Sequence, residues 1–291
     1  MDDGFEFRIP VGQWVDSGVD WLTSNLSALF SLIASVLRWL FDAAELVFTG
    51  PPFWLVIIAL AAIAFFAKTW RLALATVLGL LLIYGMNQWD NAMATIALVL
   101  VASLIATLMA IPLGIWAARN SVVSQAVRPV LDFMQTMPAF VYLIPAVVLF
   151  RVGVVPGIVA TIIFAMAPGV RFTELGIRQV DGEVVEAGHA FGATPRRILG
   201  QVQLPLALPT IMAGINQVIM LSLSMVVIAG MVGAAGLGQP VVQALSTVNI
   251  ALGAEAGLAV VILAMYLDRV TAALGDRAPV SRALKVRAAD D

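Results

Sequence analysis

Long apolar runs separated by short charged stretches dominate this chain. Such runs predict membrane-spanning helices, because about 20 apolar residues cross a bilayer as a helix. The two shortest runs give only about 22 Å of helix, so flanking residues must complete those crossings. The predicted spans are residues 53–67, 72–86, 93–117, 130–150, 154–170, 206–230 and 254–267. The pattern therefore predicts an all-α polytopic membrane protein with about seven spans.

The apolar residues 24–48 differ from these runs because they carry a regular polar stripe. A span here would place Arg38, Asp42 and Glu45 in hydrocarbon, at about 2–3 kcal/mol each near the centre. An amphipathic helix in the outer interface avoids this cost and is the favoured prediction. A true span, or packing of the stripe on another subunit, are the alternatives. The stripe recurs every three or four positions, the period of one helix face, and consists of Ser24, Ser27, Ser31, Ser35, Arg38, Asp42 and Glu45.

A polar segment at residues 181–205 interrupts the second half of the chain and predicts two short helices joined at a glycine. Asp181 is a suitable N-cap for the first helix, and Gly192 supplies the left-handed residue that ends it. Thr194 then caps a second helix that starts at Pro195, where a missing N–H has no cost. A compact helical knob of this kind suits a membrane subunit that inserts into a soluble partner.

This segment resembles the EAA coupling loop of ABC-importer membrane subunits. That pattern is Glu-Ala-Ala, three residues, Gly, nine residues, Ile, one residue, Leu-Pro. Gly188 replaces the second Ala and Val202 replaces Ile. The resemblance implies that the loop docks on an ATP-hydrolysing subunit; the alternative is an ordinary amphipathic cytoplasmic loop. Glu186, Ala187, Gly192, Val202, Leu204 and Pro205 fall on that spacing. Arg196 and Arg197, with Glu186, add charge pairing at the rim of the contact. The predicted coupling residues are Glu186, Ala187, Gly188, Gly192, Arg196, Arg197, Leu204 and Pro205.

The resemblance to these permeases extends over about residues 50–275. Among these permeases, the sequence is similar to the glycine betaine/proline betaine branch. The motifs that carry it are residues 110–180, the run Arg171 to Val180 within them, and the glycine-rich run Met231 to Gln239. The resemblance implies a type I importer fold that works as a homodimer. It also implies two ATPase subunits and a periplasmic or anchored substrate-binding protein as partners, with a quaternary ammonium osmoprotectant as substrate.

This resemblance and the hydropathy together divide the chain into four regions. Residues 1–50 form an extracytoplasmic or interfacial amphipathic region, and residues 51–90 form two accessory spans. Residues 91–275 form the permease core, including the coupling loop, and residues 276–291 form a cytoplasmic tail. Within the core, the glycines from Gly230 to Gly238 are expected to break a helix at the outer face, so that residues 239–250 fold back.

The distribution of basic residues predicts the orientation in a bacterial inner membrane, because cytoplasmic loops carry an excess of Lys and Arg. If residues 171–205 are cytoplasmic, then residues 68–71, 118–129 and 268–291 share that side. These four regions hold 13 of the 16 Lys and Arg of the chain. The C-terminus is then cytoplasmic and the N-terminus lies outside.

Composition supports a bilayer location and excludes several kinds of chemistry. The chain is 61% hydrophobic and 12% charged, with a net charge of −2, no cysteine and one histidine. These values argue against a nucleic-acid partner, thiolate catalysis and a histidine-based metal cluster. Neither of the two lysines stands in a P-loop pattern. We therefore expect a transport subunit with no catalytic residue, metal or cofactor of its own, and with ATP and Mg²⁺ on a partner chain.

Few polar residues lie within the predicted spans. Some are candidates for lining the path of a small zwitterion, although hydrogen bonds between helices are an equally good interpretation of each. Asp132 is expected to pair with Arg128 one turn earlier. The candidate path residues are Gln135, Asn216, Gln217, Ser222 and Ser224.

Two other functions compete with betaine import. An ABC permease for another small organic solute, such as choline or carnitine, fits the same motifs. Aromatic residues that favour quaternary ammonium groups are scattered in the spans, so selection is better assigned to a separate binding protein. An ion-coupled secondary carrier is disfavoured, because mid-membrane ionisable residues and repeated halves are not visible.

Overall fold

The computed structural model describes residues 9–276, and within this range the chain is a bundle of α-helices without strands. The predicted C-terminal tail lies outside the described residues except for its first residue. The helices are α1 Val11–Asn25, α2 Ser27–Thr49, α3 Phe53–Ala67, α4 Trp70–Gly85, α5 Trp89–Arg119, α6 Ser121–Thr136, α7 Ala139–Phe150, α8 Val154–Arg178, α9 Gly182–Ala190, α10 Pro195–Ile198, α11 Leu204–Gly230, α12 Gly238–Thr247 and α13 Ile250–Asp276, with a π-helical turn at Leu199–Gln203.

Five of the described helices are long and apolar enough to cross a membrane: α2, α5, α8, α13 and the continuous run from α10 to α11. The number rises to six if the bent pair of α6 and α7 is one span. Two of the predicted spans, α3 and α4, are apolar but shorter, with 15 and 16 residues. The prediction of an all-helical polytopic membrane fold is confirmed.

The span predicted at residues 130–150 is not one straight helix. It is divided between α6 and α7, which meet at an angle of 96°. The break falls at Met137, whose backbone is extended (φ −67°, ψ 135°) immediately before Pro138. A residue before proline is pushed out of the helical region by the proline ring. The dipeptide therefore explains the bend that hydropathy alone did not reveal.

Helix α8 lies at the centre of the bundle, packed between α5 and α11. Small residues allow these helices to approach closely, as is usual between membrane helices. A Cβ added to Gly114 of α5 would lie 2.7 Å from the carbonyl oxygen of Val170, and one added to Gly169 would lie 2.8 Å from Ala110 Cβ. The close contact of α8 with α5 therefore depends on these two glycines.

Helix α2 has both of its ends at the end of the bundle opposite residues 181–205. Near its start, the ring of Phe30 packs edge-on against Phe150, just before α8 begins. After its last residue the chain turns into α3, where Phe53 stacks on Tyr84 at the end of α4. Leu37 and Phe41 are buried against the bundle. These contacts support the interfacial placement predicted for this helix, although its length and composition also suit a span.

The glycine-rich run ends α11 and returns the chain as α12, as predicted. Gly233 and Gly236 have positive φ angles of 81° and 123°, which favour glycine. The turn is held against α5, because the Leu237 N–H donates to Thr95 Oγ1 at 2.8 Å. Val248 closes α12 in a left-handed conformation, with φ 53°. A compact backbone turn thus covers this end of the bundle.

Candidate coupling site

Residues 181–205, here called the coupling segment, begin with the capped helix α9. The Asp181 carboxylate accepts from the Glu183 N–H at 2.9 Å, which confirms the predicted N-cap. The helix ends at Gly192, whose φ of 78° confirms the predicted left-handed residue. The Gly192 N–H donates to the His189 carbonyl at 2.8 Å, and the Ala193 N–H donates to the Gly188 carbonyl at 3.1 Å. Both ends of the helix are therefore specified by local hydrogen bonds.

The second half of the segment starts as predicted at Thr194. Its hydroxyl accepts from the Arg197 N–H at 3.4 Å, and Pro195 occupies the first helical position. The Arg197 guanidinium donates from Nε to Gln201 Oε1 at 2.9 Å, one turn along the chain. A π-helical turn at Leu199–Gln203 follows and runs directly into α11. The segment is thus continuous with a central helix of the bundle.

One buried side chain fixes the two short helices on each other. Ile198 is 2% exposed, and a Cβ on Gly188 would lie 3.4 Å from its Cγ1 atom, an ordinary van der Waals distance. The alanine that the coupling-loop pattern has at this position would therefore fit. No residue of α9 itself is buried. The outer face of α9 is therefore free to contact another protein. Leu204 and Pro205, by contrast, are half-buried, and Leu204 packs on the bundle.

Phe191 stands at the tip of this exposed surface, and the sequence interpretation did not select it. Its side chain is 92% exposed. A large aromatic group at an exposed turn is a typical anchor for a partner's pocket. Glu186, Ala187, Arg196 and Arg197 are also exposed. The signal in the sequence was an aromatic residue directly before Gly192, where only the Phe191 backbone N–H is used, to close α9 on the Ala187 carbonyl.

A cluster of charged side chains joins α6 to the end of α8, three residues before the coupling segment. Glu174 is buried, and its Oε1 atom accepts from Ser124 at 2.7 Å, Arg128 at 3.1 Å and Arg178 at 3.0 Å. Arg178 also donates to the Ala117 carbonyl of α5 at 3.0 Å. This set of contacts, here called the Glu174 cluster, ties three helix ends together. It lines a cavity of about 300 Å³.

The predicted pair between Asp132 and Arg128 is wrong. Asp132 pairs with Arg171 of α8, and Arg128 pairs with Glu174. The two helices run side by side here, so each charge on α6 meets an opposite charge on α8. Pairing across the interface gives the buried Glu174 two guanidinium partners, whereas a pair within α6 would leave it with Arg178 alone.

The structure does not bring the five candidate path residues into one site. Ser222 is fully buried and donates to the Val218 carbonyl at 2.8 Å. Asn216 joins α11 to α13, because it donates to Asp268 at 3.0 Å and accepts from Thr271. Asn216 therefore fits the alternative interpretation, a hydrogen bond between helices, whereas the Ser222 bond lies within α11, as does that of Ser224 to the Met220 carbonyl at 3.1 Å. Gln135 is half-buried, whereas Gln217 and Ser224 are exposed.

Comparison with protein families adds independent support to this geometry. Residues 110–278 match the model for the family described as binding-protein-dependent transport system inner membrane component. The match covers α6 to α13, including the whole coupling segment.

Several curated proteins are similar to nearly the whole chain. The glycine betaine/carnitine transport permease protein GbuB of Listeria monocytogenes is 50% identical, covering 93% of this chain and 97% of its own. The glycine betaine transport system permease protein OpuAB of Bacillus subtilis is 48% identical, covering 91% and 94%. The glycine betaine/proline betaine permease protein ProW of Escherichia coli is 45% identical, covering 94% and 78%.

Solved structures share the fold at low sequence identity. An inward-facing structure of the MetNI methionine ABC transporter aligns with a TM-score of 0.59 and 22% identity, over 68% of this chain and 95% of the matched chain. A second crystal form of the same transporter aligns with a TM-score of 0.57 and 23% identity, over 65% and 92%. This likeness covers the fold of a transporter membrane subunit.

Proposed function

The chain belongs to the binding-protein-dependent transport system inner membrane components, and from that premise we propose that it is the permease subunit of an ATP-driven importer for glycine betaine and related quaternary ammonium osmoprotectants. Membership makes it a multi-pass inner-membrane transport subunit. The substrate proposal rests on the similarity to GbuB, OpuAB and ProW, which are named as glycine betaine permeases. Carnitine is the second candidate, because GbuB is named for it as well.

The observation that carries the coupling role is the exposed surface of the coupling segment. Helix α9 is capped at both ends, α10 is capped at its start by Thr194, and the two pack on each other through Ile198, yet Phe191 projects almost fully exposed. A rigid knob with one aromatic anchor suits a groove in a second protein. The exposed Glu186, Arg196 and Arg197 offer charge pairing at the rim of that contact.

ATP hydrolysis is proposed to occur on a partner chain, which binds ATP and Mg²⁺. Two copies of this chain, two ATPase subunits and one substrate-binding protein, periplasmic or anchored, would form the working assembly. The path would lie at the two-fold interface between the two permease copies. Gln135, Gln217 and Ser224, whose side chains are at least partly exposed, are proposed to contribute to it.

The contacts at the ends of the coupling segment suggest how motion would reach the bundle. At its start, the Glu174 cluster ties α8 to α5 and α6 within one turn of Asp181. At its end, the π-helical turn passes directly into α11. Rotation of the segment by a closing ATPase pair would therefore move α8 and α11 together. The path then switches from inward-open to outward-open, and the solute released by the binding protein enters.

The orientation is proposed from the distribution of basic residues. The coupling segment would face the cytoplasm, and α2 with the turn before α12 would face outward, where the binding protein delivers substrate. The N-terminus would then lie outside and the C-terminus inside.

Replacement of Phe191 by serine tests the coupling role. Loss of a central aromatic anchor costs about 2 kcal/mol or more in protein interfaces, which is roughly a thirtyfold loss of affinity. We expect the ATPase subunits to dissociate during purification and betaine uptake to fall, with the affinity of the binding protein for betaine unchanged. Gly192→Trp should have the same effect, because the left-handed backbone at Gly192 disfavours a residue with a side chain and the turn that presents Phe191 would be distorted.

Ile250→Ser is the matched control, because Ile250 is 83% exposed at the opposite end of the bundle. Its purified complex should keep the ATPase subunits. Normal ATPase retention and normal uptake by the Phe191→Ser variant would overturn the proposed coupling role. Substrate identity is tested separately by radiolabelled uptake of glycine betaine, choline and carnitine with the cognate binding protein.

A further inference from the structure

A wedge-shaped groove lies between the accessory helix α4 and the last core helix, α13. The two helices touch at Gly79, where an added Cβ would lie 2.7 Å from Ile262 Cγ2. The two helices are antiparallel. Leu72 on α4 and Arg269 on α13 therefore lie at the same level, about 10 Å from the contact of Gly79 with Ile262 at 1.5 Å per residue. Between these levels the helices leave a cavity of about 230 Å³.

The walls and floor of this groove present apolar groups to an occupant. Leu72, Leu80 and Met265 line it. The polar atoms that reach its floor already have partners: the Tyr266 hydroxyl donates to the Leu60 carbonyl at 3.2 Å, and the Thr76 hydroxyl donates to the Leu72 carbonyl at 2.8 Å. In a chain that spans the bilayer, a lateral cleft with such walls fits a hydrocarbon chain.

One end of the groove is positively charged, because Arg269 and Arg71 lie there. The Arg269 side chain lines it and is 60% exposed. Arg71, next to Leu72 and therefore at the same level, places its guanidinium over the Trp70 ring, 5.9 Å from the ring centre. Tryptophan with arginine is typical of the headgroup region of a membrane protein. Asp268 Oδ2 lies 3.9 Å from Arg269 Nε, beyond hydrogen-bond distance. With Arg71 and Arg269 against this one carboxylate, the end of the groove keeps a net positive charge.

This charged end is the same end that carries the coupling segment. Near the end of α13, an added Cβ at Gly275 would lie 3.1 Å from Met212 Cβ. Met212 is two turns into α11, which continues directly from the coupling segment. The apolar part of the groove therefore points into the bilayer. Arg269, which lines the groove, and Arg71, next to the lining residue Leu72, lie at the surface where the ATPase would dock.

We propose that this groove binds one anionic phospholipid, with an acyl chain between α4 and α13 and the headgroup phosphate between Arg71 and Arg269. The charge complementarity favours a headgroup with net negative charge, such as phosphatidylglycerol, over a zwitterionic one. The bound lipid fills the gap between accessory and core helices that the side chains leave open. A basic pocket between membrane helices is a known kind of lipid site.

Native mass spectrometry of the full purified chain, in mild detergent with added phosphatidylglycerol or phosphatidylethanolamine, tests this proposal. We expect one phosphatidylglycerol to be retained per chain in preference to phosphatidylethanolamine. The double variant R71Q/R269Q should lower this retention by about tenfold or more, at about 1 kcal/mol per arginine. R119Q is the matched control, an exposed arginine at the same end of the bundle but outside the groove, and should retain the lipid.

Ala75→Trp tests the hydrocarbon part independently, because Ala75 lines the groove and is exposed, so that a large side chain there fills the cavity while both arginines remain. This variant should also lose the lipid. If Ala75→Trp retained phosphatidylglycerol while R71Q/R269Q lost it, the lipid would be held by surface charge alone. That result would overturn the proposal that the groove binds an acyl chain. Equal retention of the two lipids by the unaltered chain, or retention by R71Q/R269Q, would also overturn the proposal.

Discussion

The two ends of the bundle use glycine for opposite reasons. At Gly192 in the coupling segment, φ is 78° and an added Cβ would meet nothing within 4 Å. At Gly238, in the turn at the other end, φ is ordinary but an added Cβ would overlap the carbonyl oxygen of Val226. One glycine is needed for its backbone conformation and the other for close approach of two backbones.

This difference indicates that the coupling segment presents a contact surface, whereas the turn before α12 holds helices together. The coupling segment is held by side-chain caps and one buried isoleucine, which leave its outer face exposed, and the Glu174 cluster fixes the end of α8 just before it. The opposite turn is held by backbone packing and by the Thr95 hydroxyl that accepts from Leu237. We infer that the first end is built to contact a partner and the second to fix α11, α12 and α5 relative to each other.

The largest expected effect is that of Gly238→Ala. The new methyl group meets a helix backbone that cannot yield without moving α11, so we expect a loss of about 3 kcal/mol or more in the free energy of unfolding. Thermal unfolding of the purified chain in detergent measures it. Gly192→Ala, by contrast, should cost only about 1–2 kcal/mol, the strain of a left-handed alanine.

Gly257→Ala serves as the control, because Gly257 lies within α13 and an added Cβ there meets nothing within 4 Å. Its stability should be unchanged or raised by about 0.5–1 kcal/mol, as for other glycines replaced within helices. If Gly238→Ala melted at the same temperature as Gly257→Ala, the distinction between the two ends would be lost.

The next effect in size is that of Glu174→Gln at the coupling end. Glutamine keeps the volume but removes the charge that faces two arginines and the Ser124 hydroxyl. Because both arginines are partly exposed to solvent, we expect a moderate loss of about 1–2 kcal/mol rather than the full penalty of a buried pair. We also expect uptake to fall in variant protein that is still folded, because the cluster links α8 to α5 and α6 beside the coupling segment.

Asp90→Asn is the matched control for that variant. Asp90 is an exposed carboxylate in the first turn of α5, at the opposite end of the bundle. Its uptake and thermal stability should stay close to those of the unaltered chain. A loss of uptake by Asp90→Asn equal to that of Glu174→Gln would remove the special role of the cluster.

The coupling segment could be predicted closely because its structure is local. Each of its signals lies within four residues of what it determines: Asp181 caps the turn that follows it, Gly192 ends α9, and Thr194 caps α10. Hydropathy likewise located the long spans, because each apolar run reports on its own segment.

The charge cluster could not be predicted in the same way, because it depends on which helices are neighbours. Arg171, Glu174 and Arg178 recur on one face of α8, and Ser124, Arg128 and Asp132 on one face of α6. Spacing within a helix favoured a pair between Arg128 and Asp132. Only packing of the two stripes against each other reveals the pairs that form. The bend before Pro138 had a local signal, but the hydropathy window averaged over it.

The smallest expected effect is that of Asp132→Asn, and it tests whether the ion pairs of α6 and α8 act as one unit. The pair of Asp132 with Arg171 is exposed, at 65% and 41% for the two side chains. Exposed pairs contribute about 0–1 kcal/mol, so thermal stability should hardly change. Adding Glu174→Gln then completes a double-mutant cycle. Because the two carboxylates have different arginine partners, we expect the two losses of stability to add within about 0.5 kcal/mol. A larger coupling energy would show that the whole α6–α8 contact, rather than the Glu174 cluster alone, joins the coupling segment to the bundle.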